Sequence, residues 1–249
     1  MMGGHISKAQ VKWVRSLQQK KFRDEEGVFV AEGEKCVREL EKSFALELLV
    51  TPENATAIEI AQMSSLRTPQ GVIGVFRKPI DTESDSTSCV GKARRDLVLA
   101  LDGVQDPGNV GTIIRTCDWF GIRDLYCSHD TADCYSPKVI QSTMGSIARV
   151  RVHYVDLEEV LETVRSASIP IYGTLLDGKD LYAVGAIPAP RSGVIVMGNE
   201  GKGLSADVRA TVSHPLLIPA YKQGEEHAES LNVSIATAVV LAEFRRLSR

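Results

Sequence analysis

Between residues 97 and 218, apolar residues gather into six short, nearly unbroken runs, at 97–101, 125–127, 150–155, 169–176, 194–197 and 216–218. A sheet with one wet face would make its strands alternate, so runs without alternation predict strands buried on both faces, as in a parallel sheet. Between the runs the period changes: Val110, Ile113, Ile114 and Cys117 follow helical spacing, as do Leu157, Val160, Leu161 and Val164. Strands separated by helices predict a mostly parallel six-stranded α/β sheet with right-handed crossovers. The helix predicted over 231–247 is apolar nearly all round until Arg245. With Val239, Val240 and Phe244 crowding it, this helix is expected to be buried on two sides, by the sheet and by a second subunit.

Ahead of this region lies a polar stretch without periodicity, PIDTESDSTSCVGKARRD, from Pro79 to Asp96. It reads as a linker. The expected organisation is a small α/β domain over 1–80, a linker over 81–96 and a larger α/β domain over 97–249. In the first domain, Val11, Val14 and Leu17 form a helical stripe. A second helix is marked by Cys36, Val37 and Leu40, and strands are expected at 27–31, 44–50 and 71–76. A chain of 249 residues, 43% hydrophobic and 24% charged, can bury a core without disulfide or metal staples. Five cysteines with no CxxC pair fit a reduced, cytoplasmic setting. No apolar run reaches membrane-spanning length, and residues 1–23 lack the apolar core of a secretory signal. Net charge is only −3, yet residues 1–23 hold six basic residues (Lys8, Lys12, Arg15, Lys20, Lys21 and Arg23) and no acidic one. Either this is a solvated helix face or a polyanion is gripped there.

Three segments follow predicted strands, and the carboxyl ends of parallel strands are where ligands bind. The first places Gly108, Asn109 and Gly111 where a strand turns into a helix, with Arg115 further along that helix. Glycines there admit a ligand close to the backbone, and an arginine can hold phosphate bidentately. The second, GNEGKGLS from Gly198 to Ser205, imitates nucleotide loops but matches neither: its glycines read G-x-x-G-x-G, and Leu204 stands where a P-loop needs lysine. Glu200 within it would repel phosphate and favour a cation or a hydroxyl. The third runs from Ile218-Pro219 through a polar loop to Ser230, Leu231 and Asn232, where Ser230 and Asn232 are also ordinary helix-capping types. Cys127, His129 and Cys134 do not have zinc spacing, so no metal is expected. There is no G-x-S-x-G elbow for a serine hydrolase.

With these segments in view, the chain resembles the SpoU family of RNA ribose methyltransferases, within the knotted SPOUT superfamily. DPGNVGTIIRT at 106–116, MGNEGKGLS at 197–205, and IPA at 218–220 followed by ESLNVSIA at 229–236 look like the family's three motifs, in its order. VFVAEGEK at 28–35 and TPQGVIGVF at 68–76 look like the family's L30e-like substrate-binding domain. One departure is the long loop AYKQGEEHAE between the two halves of the third motif, so contacts from Tyr221 to Glu229 do not carry over. The resemblance implies a deep trefoil knot in the C-terminal domain, S-adenosylmethionine as methyl donor, and a homodimer formed through that domain.

It further implies methylation of a ribose 2′-hydroxyl in structured RNA, ribosomal RNA ahead of tRNA. Arg115, Asn109 and Asn232 would act at the reacting centre. Gly198, Asn199, Glu200, Gly203, Ile218 and Leu231 would line the cofactor site. Lys8, Lys12 and Arg15, with Arg115, would bind RNA. Arginine is a poor base, so Arg115 is expected to grip phosphate and to stabilise charge developing on the oxygen. Two alternatives are a non-catalytic RNA-binding member of the family and a related enzyme that methylates a base nitrogen. The Asn109/Arg115 pair and the Ser-Leu-Asn segment favour ribose chemistry.

Overall fold

A computed structural model describes residues 5–80, 85–221 and 228–249. These fall into two compact units: the described residues up to Ile80 together with Asp133–Arg149, and those from Asp85 to Ala132 together with Val150–Arg249.

In the first unit, helix α1 (Lys8–Ser16) opens with a capping box. Ser7 Oγ accepts from the Gln10 amide at 3.2 Å, and the Gln10 side chain accepts from the Ser7 amide at 2.9 Å. Helix α2 (Lys20–Glu26) ends at Gly27, which adopts a left-handed φ of 64°. Strand β1 (Val28–Glu32), helix α3 (Glu34–Leu40), strand β2 (Leu46–Val50), helix α4 (Ala57–Met63) and strand β3 (Ile73–Arg77) follow. The strands form an antiparallel sheet in the order β1-β3-β2. Val11, Val14, Leu17, Val30, Ile60, Met63 and Val75 meet in one core, so the stripe expected on the first helix is the buried face of α1.

The basic cluster of residues 1–23 divides. Lys8, Lys12 and Arg15 are exposed on α1 and carry no ion pair among the described residues. Lys20 pairs with Asp24 at 2.6 Å and Lys21 with Glu25 at 3.8 Å. Arg23 departs from the expected stripe altogether. It is 2% exposed, donates to the carbonyls of Leu17 and Gln18 at 2.8 Å, and pairs with Asp133 at 2.7 Å.

Two expectations about domain limits are corrected. Residues 86–93 form helix α5 (Ser86–Ala93), capped by Asp85, with Cys89 and Ala93 in the core of the second unit. The linker reading missed it because Ser, Thr and Gly dominate its exposed side and only a narrow apolar stripe marks the other. Residues 81–84 of that linker lie outside the described residues. Asp133–Arg149, expected within the second domain, groups with the first unit. Tyr135 packs its ring 5.0 Å from Phe29, and Arg149 pairs with Glu39 at 2.5 Å.

The second unit continues with strand β4 (Leu97–Asp102), helix α6 (Pro107–Trp119) and strand β5 (Asp124–Ser128). After helix α7 (Pro137–Thr143) of the first unit come strand β6 (Arg151–Val155), helix α8 (Leu157–Ser166), strands β7 (Ile171–Asp180) and β8 (Gly193–Gly198), helix α9 (Ala206–Thr211), strand β9 (His214–Leu217) and helix α10 (Val233–Leu247). All six predicted strands lie in one sheet, ordered β6-β5-β4-β8-β7-β9, and every pairing is parallel. Strand β4 is buried along its whole length, as an unalternating run requires. The register Val98↔Val194 to Asp102↔Gly198 makes β4 and β8 end side by side. The loops that follow them therefore start as neighbours.

Helix α10 packs on α6 and β8. Val240 and Phe244, expected to serve a subunit contact, are fully buried inside their own unit, where Phe244 meets the Tyr172 ring edge-on at 4.8 Å. A helix wedged between a sheet and a second helix needs apolar residues on two sides before any partner is present. Its exposed large apolar residues are Ile235 and Leu247.

At the opposite end of the sheet from those loops, Asp124 is 6% exposed. Lys92 Nζ lies 2.9 Å from it and His153 Nε2 3.1 Å, while Arg151 donates to both its oxygens at 3.0 Å. Burial alone would raise this carboxyl, but hydrogen bonds from His153, Lys92 and Arg151 outweigh it and hold Asp124 well below the usual carboxylate range. The unfolded carboxyl titrates near ~3.9. Its stabilisation is thus complete above about pH 5 and fades as pH falls below ~4. Asp124→Asn should cost roughly 3 kcal/mol at neutral pH in urea unfolding. Its deficit against the wild type should shrink below pH 4, and a deficit independent of pH would refute the ionic account.

Candidate active site at the strand carboxyl ends

The site is assembled from backbone turns first. Strand β4 ends in the buried Asp102, whose Oδ2 accepts the Ser205 amide at 2.7 Å and so ties the β8 loop to the end of β4. Gly103 follows at a φ of +65°, a conformation that favours glycine, and its amide donates to Ser128 Oγ at 2.8 Å. Asp106 then caps α6 by accepting the Asn109 amide at 3.0 Å, with Pro107 in the first helical turn.

The loop after β8 folds back on itself. Asn199 and Gly203 exchange backbone hydrogen bonds at 3.0 and 2.9 Å. The Asn199 side chain accepts from the Gly201 and Lys202 amides and donates to the Gly103 carbonyl at 2.7 Å. Its amide group is therefore occupied within the loop, and a ligand could meet Asn199 only through its backbone. At Gly198, a Cβ would stand 2.5 Å from the Gly203 carbonyl carbon and 2.7 Å from the Leu204 nitrogen. Only glycine lets the two ends of the loop close.

Three side chains expected at the site then meet. Asn109 Nδ2 donates to Glu200 Oε1 at 2.6 Å, and Asn232 Nδ2 donates to Asn109 Oδ1 at 3.0 Å. Asn232 also caps α10, its Oδ1 accepting from the Ser234 amide and hydroxyl at 3.0 and 2.6 Å and from the Ile235 amide at 3.4 Å. The capping and the bridging readings of Asn232 both hold, one for each end of its amide. Ser230 caps nothing among the described residues.

Arg115 is not part of this group. It is exposed on α6 with no partner among the described residues. It stands about 9 Å along the helix from Asn109 and roughly 120° around it. Ile218 is half-buried and Leu231 is 50% exposed. The main-chain groups of Ile218 and Ala220 make no hydrogen bond among the described residues. Residues 222–227 of the long loop lie outside the described residues. The reading of the sequence missed Asp102 and Ser205, which lock the first two loops together. The signal was an Asp ending a fully apolar strand. No group of His, Cys, Asp and Glu able to hold a metal occurs among the described residues.

Residues 96–242 match the SpoU rRNA Methylase family, and residues 8–61 match the MRM3-like substrate binding domain. The chain is 32% identical to the 23S rRNA (guanosine(2553)-2′-O)-methyltransferase of Bacillus subtilis, over 95% of this chain and 96% of that one. Among solved structures it is similar to a putative RNA methyltransferase of the TrmH family from Porphyromonas gingivalis. The identity is 37% and the TM-score 0.86, covering 98% of this chain and all of that one. It is also similar to an AdoMet-bound rRNA methyltransferase from Sinorhizobium meliloti, with 28% identity and a TM-score of 0.82 over 98% and 97% of the two chains.

Gly198→Ala should push the Gly203–Leu204 backbone away and cost roughly 1–3 kcal/mol of stability, read as a lower midpoint in urea. An unchanged midpoint would mean that the loop is not closed in solution.

Proposed function

Since the chain belongs to the SpoU rRNA methylase family, we propose that it transfers a methyl group from S-adenosylmethionine to a ribose 2′-hydroxyl of structured RNA, and that this RNA is ribosomal. The observation that carries the reading is the Glu200–Asn109–Asn232 chain of hydrogen bonds, which ties together the three segments that resemble the family's motifs. The end-to-end relative that acts on 23S rRNA supports ribosomal RNA as the substrate.

The residues present fit the donor. Glu200 is exposed and has no cationic partner among the described residues, which suits a sulfonium. The unbonded main-chain groups of Ile218 and Ala220, with the apolar Ile218 and Leu231, suit an adenosine edge and its faces. Gly198, Asn199 and Gly203 would hold the donor through their backbone. When bound, the donor supplies an electrophilic methyl group.

The chain's own work is orientation and charge. Asn109 and Asn232 fix the loops between which the ribose would sit, and positioning of this kind supplies much of the rate. The 2′-hydroxyl must lose a proton as its oxygen attacks. An arginine is a poor base, so Arg115 would grip an RNA phosphate and stabilise negative charge on the oxygen. Lys8, Lys12 and Arg15 recur at i, i+4 and i+7 on α1 and would hold further phosphates. The match of residues 8–61 to a substrate binding domain favours that use over a solvated face, and we read this first unit as L30e-like.

Three further parts of the reading are proposals. The chain beyond β9 is threaded as a deep trefoil knot, supported by the return of α10 from β9 at the sheet edge to α6 and β8 in its middle. A homodimer forms through the second unit, with Ile235 and Leu247 of α10 at the contact. The protein works in the cytoplasm, beside its RNA.

Arg115→Ala should lower methyl incorporation into unmethylated large-subunit ribosomal RNA by about 10²-fold or more. It should leave S-adenosylmethionine binding unchanged in calorimetry. Wild-type turnover in this variant would remove Arg115 from the mechanism, and lost cofactor binding would make it structural.

A further inference from the structure

The amino ends of β4, β5 and β6 carry a row of arginines that the site at the other end of the sheet does not use. These three strands are neighbours. Arg94 and Arg95 stand just ahead of β4, Arg123 stands just ahead of β5, and Arg151 opens β6. All four are exposed. The registers Leu99↔Leu125 and Asp124↔Arg151 bring the three strand starts to nearly one level. The row therefore crosses two strand spacings, roughly 10 Å.

The row is held from beneath. Arg151 and Lys92 both pair with the buried Asp124. Arg245 donates to the carbonyls of Phe120 and Gly121 and pairs with Asp96 at 3.5 Å, which ties the turn before Arg123 to the residue before β4. Asp124 and Asp96, the carboxylates at these strand starts, are thus already matched by cations. Arg95 donates through Nε to the Gly91 carbonyl at 3.0 Å and makes no ion pair among the described residues. The side chains of Arg94 and Arg123 have no partner among the described residues. The carbonyl end of α5 favours cations, which accounts for Lys92 and Arg94. It does not account for Arg123 and Arg151, which lead into strands.

We propose that Arg94, Arg95 and Arg123 hold phosphates of the substrate RNA at a second place, one strand length (roughly 20 Å) from the reacting centre. Guanidinium groups with open N–H donors match phosphate oxygens. A protein is the poorer occupant, because protein interfaces centre on apolar anchors. At 94–97 and 122–124 every exposed side chain is charged. The assignment of RNA as the ligand rests on the methyl-transfer reading. Its consequence is that affinity for RNA depends on the row, whereas the methyl-transfer step does not.

The test uses the full chain and an in vitro transcript of large-subunit ribosomal RNA. The triple variant Arg94→Ala/Arg95→Ala/Arg123→Ala should lower the slope of log affinity against log salt by about 2–3, and weaken binding at ~0.1 M salt by roughly 10²-fold. The KM for RNA should rise in step, with kcat at saturating RNA nearly unchanged. Lysine at the same three positions should restore most of the slope, because the contact is chiefly one of charge. In the wild type, bound transcript should protect these arginines from phenylglyoxal, read peptide by peptide by mass, and S-adenosylmethionine alone should not. Protection is read on the wild type, so it stands whatever the triple variant does to folding. An unchanged salt slope, or arginines modified as fast with RNA as without it, would overturn the proposal. A changed sedimentation of the triple variant would also overturn it, by giving the row to a second copy. A wild-type protein that shows protection but transfers no methyl group would instead sink the underlying reading and leave the row in place.

Discussion

The Asn109 side-chain amide is the point on which the site depends. Its nitrogen donates to Glu200, 91 residues away in sequence, and its oxygen accepts from Asn232, 123 residues away. One planar group thereby joins the first turn of α6, the loop after β8 and the start of α10. A bond of this kind to a carboxylate contributes roughly 1.5–3 kcal/mol. The larger consequence is geometric, because three separately encoded turns are brought to one place. That is possible only because β4 and β8 are parallel neighbours ending at the same level, Asp102 opposite Gly198. The Asp102–Ser205 and Asn199–Gly103 bonds add a second tie between the same two loops.

The strands were legible because burial on both faces leaves a plain mark. Each of the six apolar runs became a strand of one sheet, with ends displaced by a few residues. The motif residues were legible as types: Asn109, Glu200 and Asn232 stood out as polar groups following strands. Their pairing was not legible, since a contact across 91 or 123 residues depends on strand order, which periodicity does not encode. The same limit explains the corrections. Arg23 looked like one more basic surface residue, and only the fold supplies the Leu17, Gln18 and Asp133 groups that bury it. Val240 and Phe244 looked like a subunit contact because a sequence records that a helix is apolar on two sides without recording which neighbour covers each. Helix α5 was hidden by its small polar residues.

The charge distribution follows the division of labour. Lys8, Lys12 and Arg15 on α1 and Arg115 on α6 are exposed and carry no ion pair among the described residues, which leaves them free for the phosphate contacts proposed above. Three carboxylates of the second unit have structural tasks. Asp124 anchors α5 to the sheet at the end remote from the site, and Asp102 and Asp106 hold turns. Glu200 differs from these in facing solvent at the strand ends, bonded to the Asn109 amide and to no cation among the described residues. A cationic methyl donor gives that exposed charge a use.

The most direct measurement is the identity of the methylated nucleoside. The protein is incubated with S-adenosylmethionine labelled in its methyl group and with large-subunit ribosomal RNA transcribed in vitro. The RNA is then digested to nucleosides and separated by mass. The label should appear in a 2′-O-methylnucleoside. Label in a base-methylated nucleoside, or unlabelled RNA despite stable binding, would contradict the account.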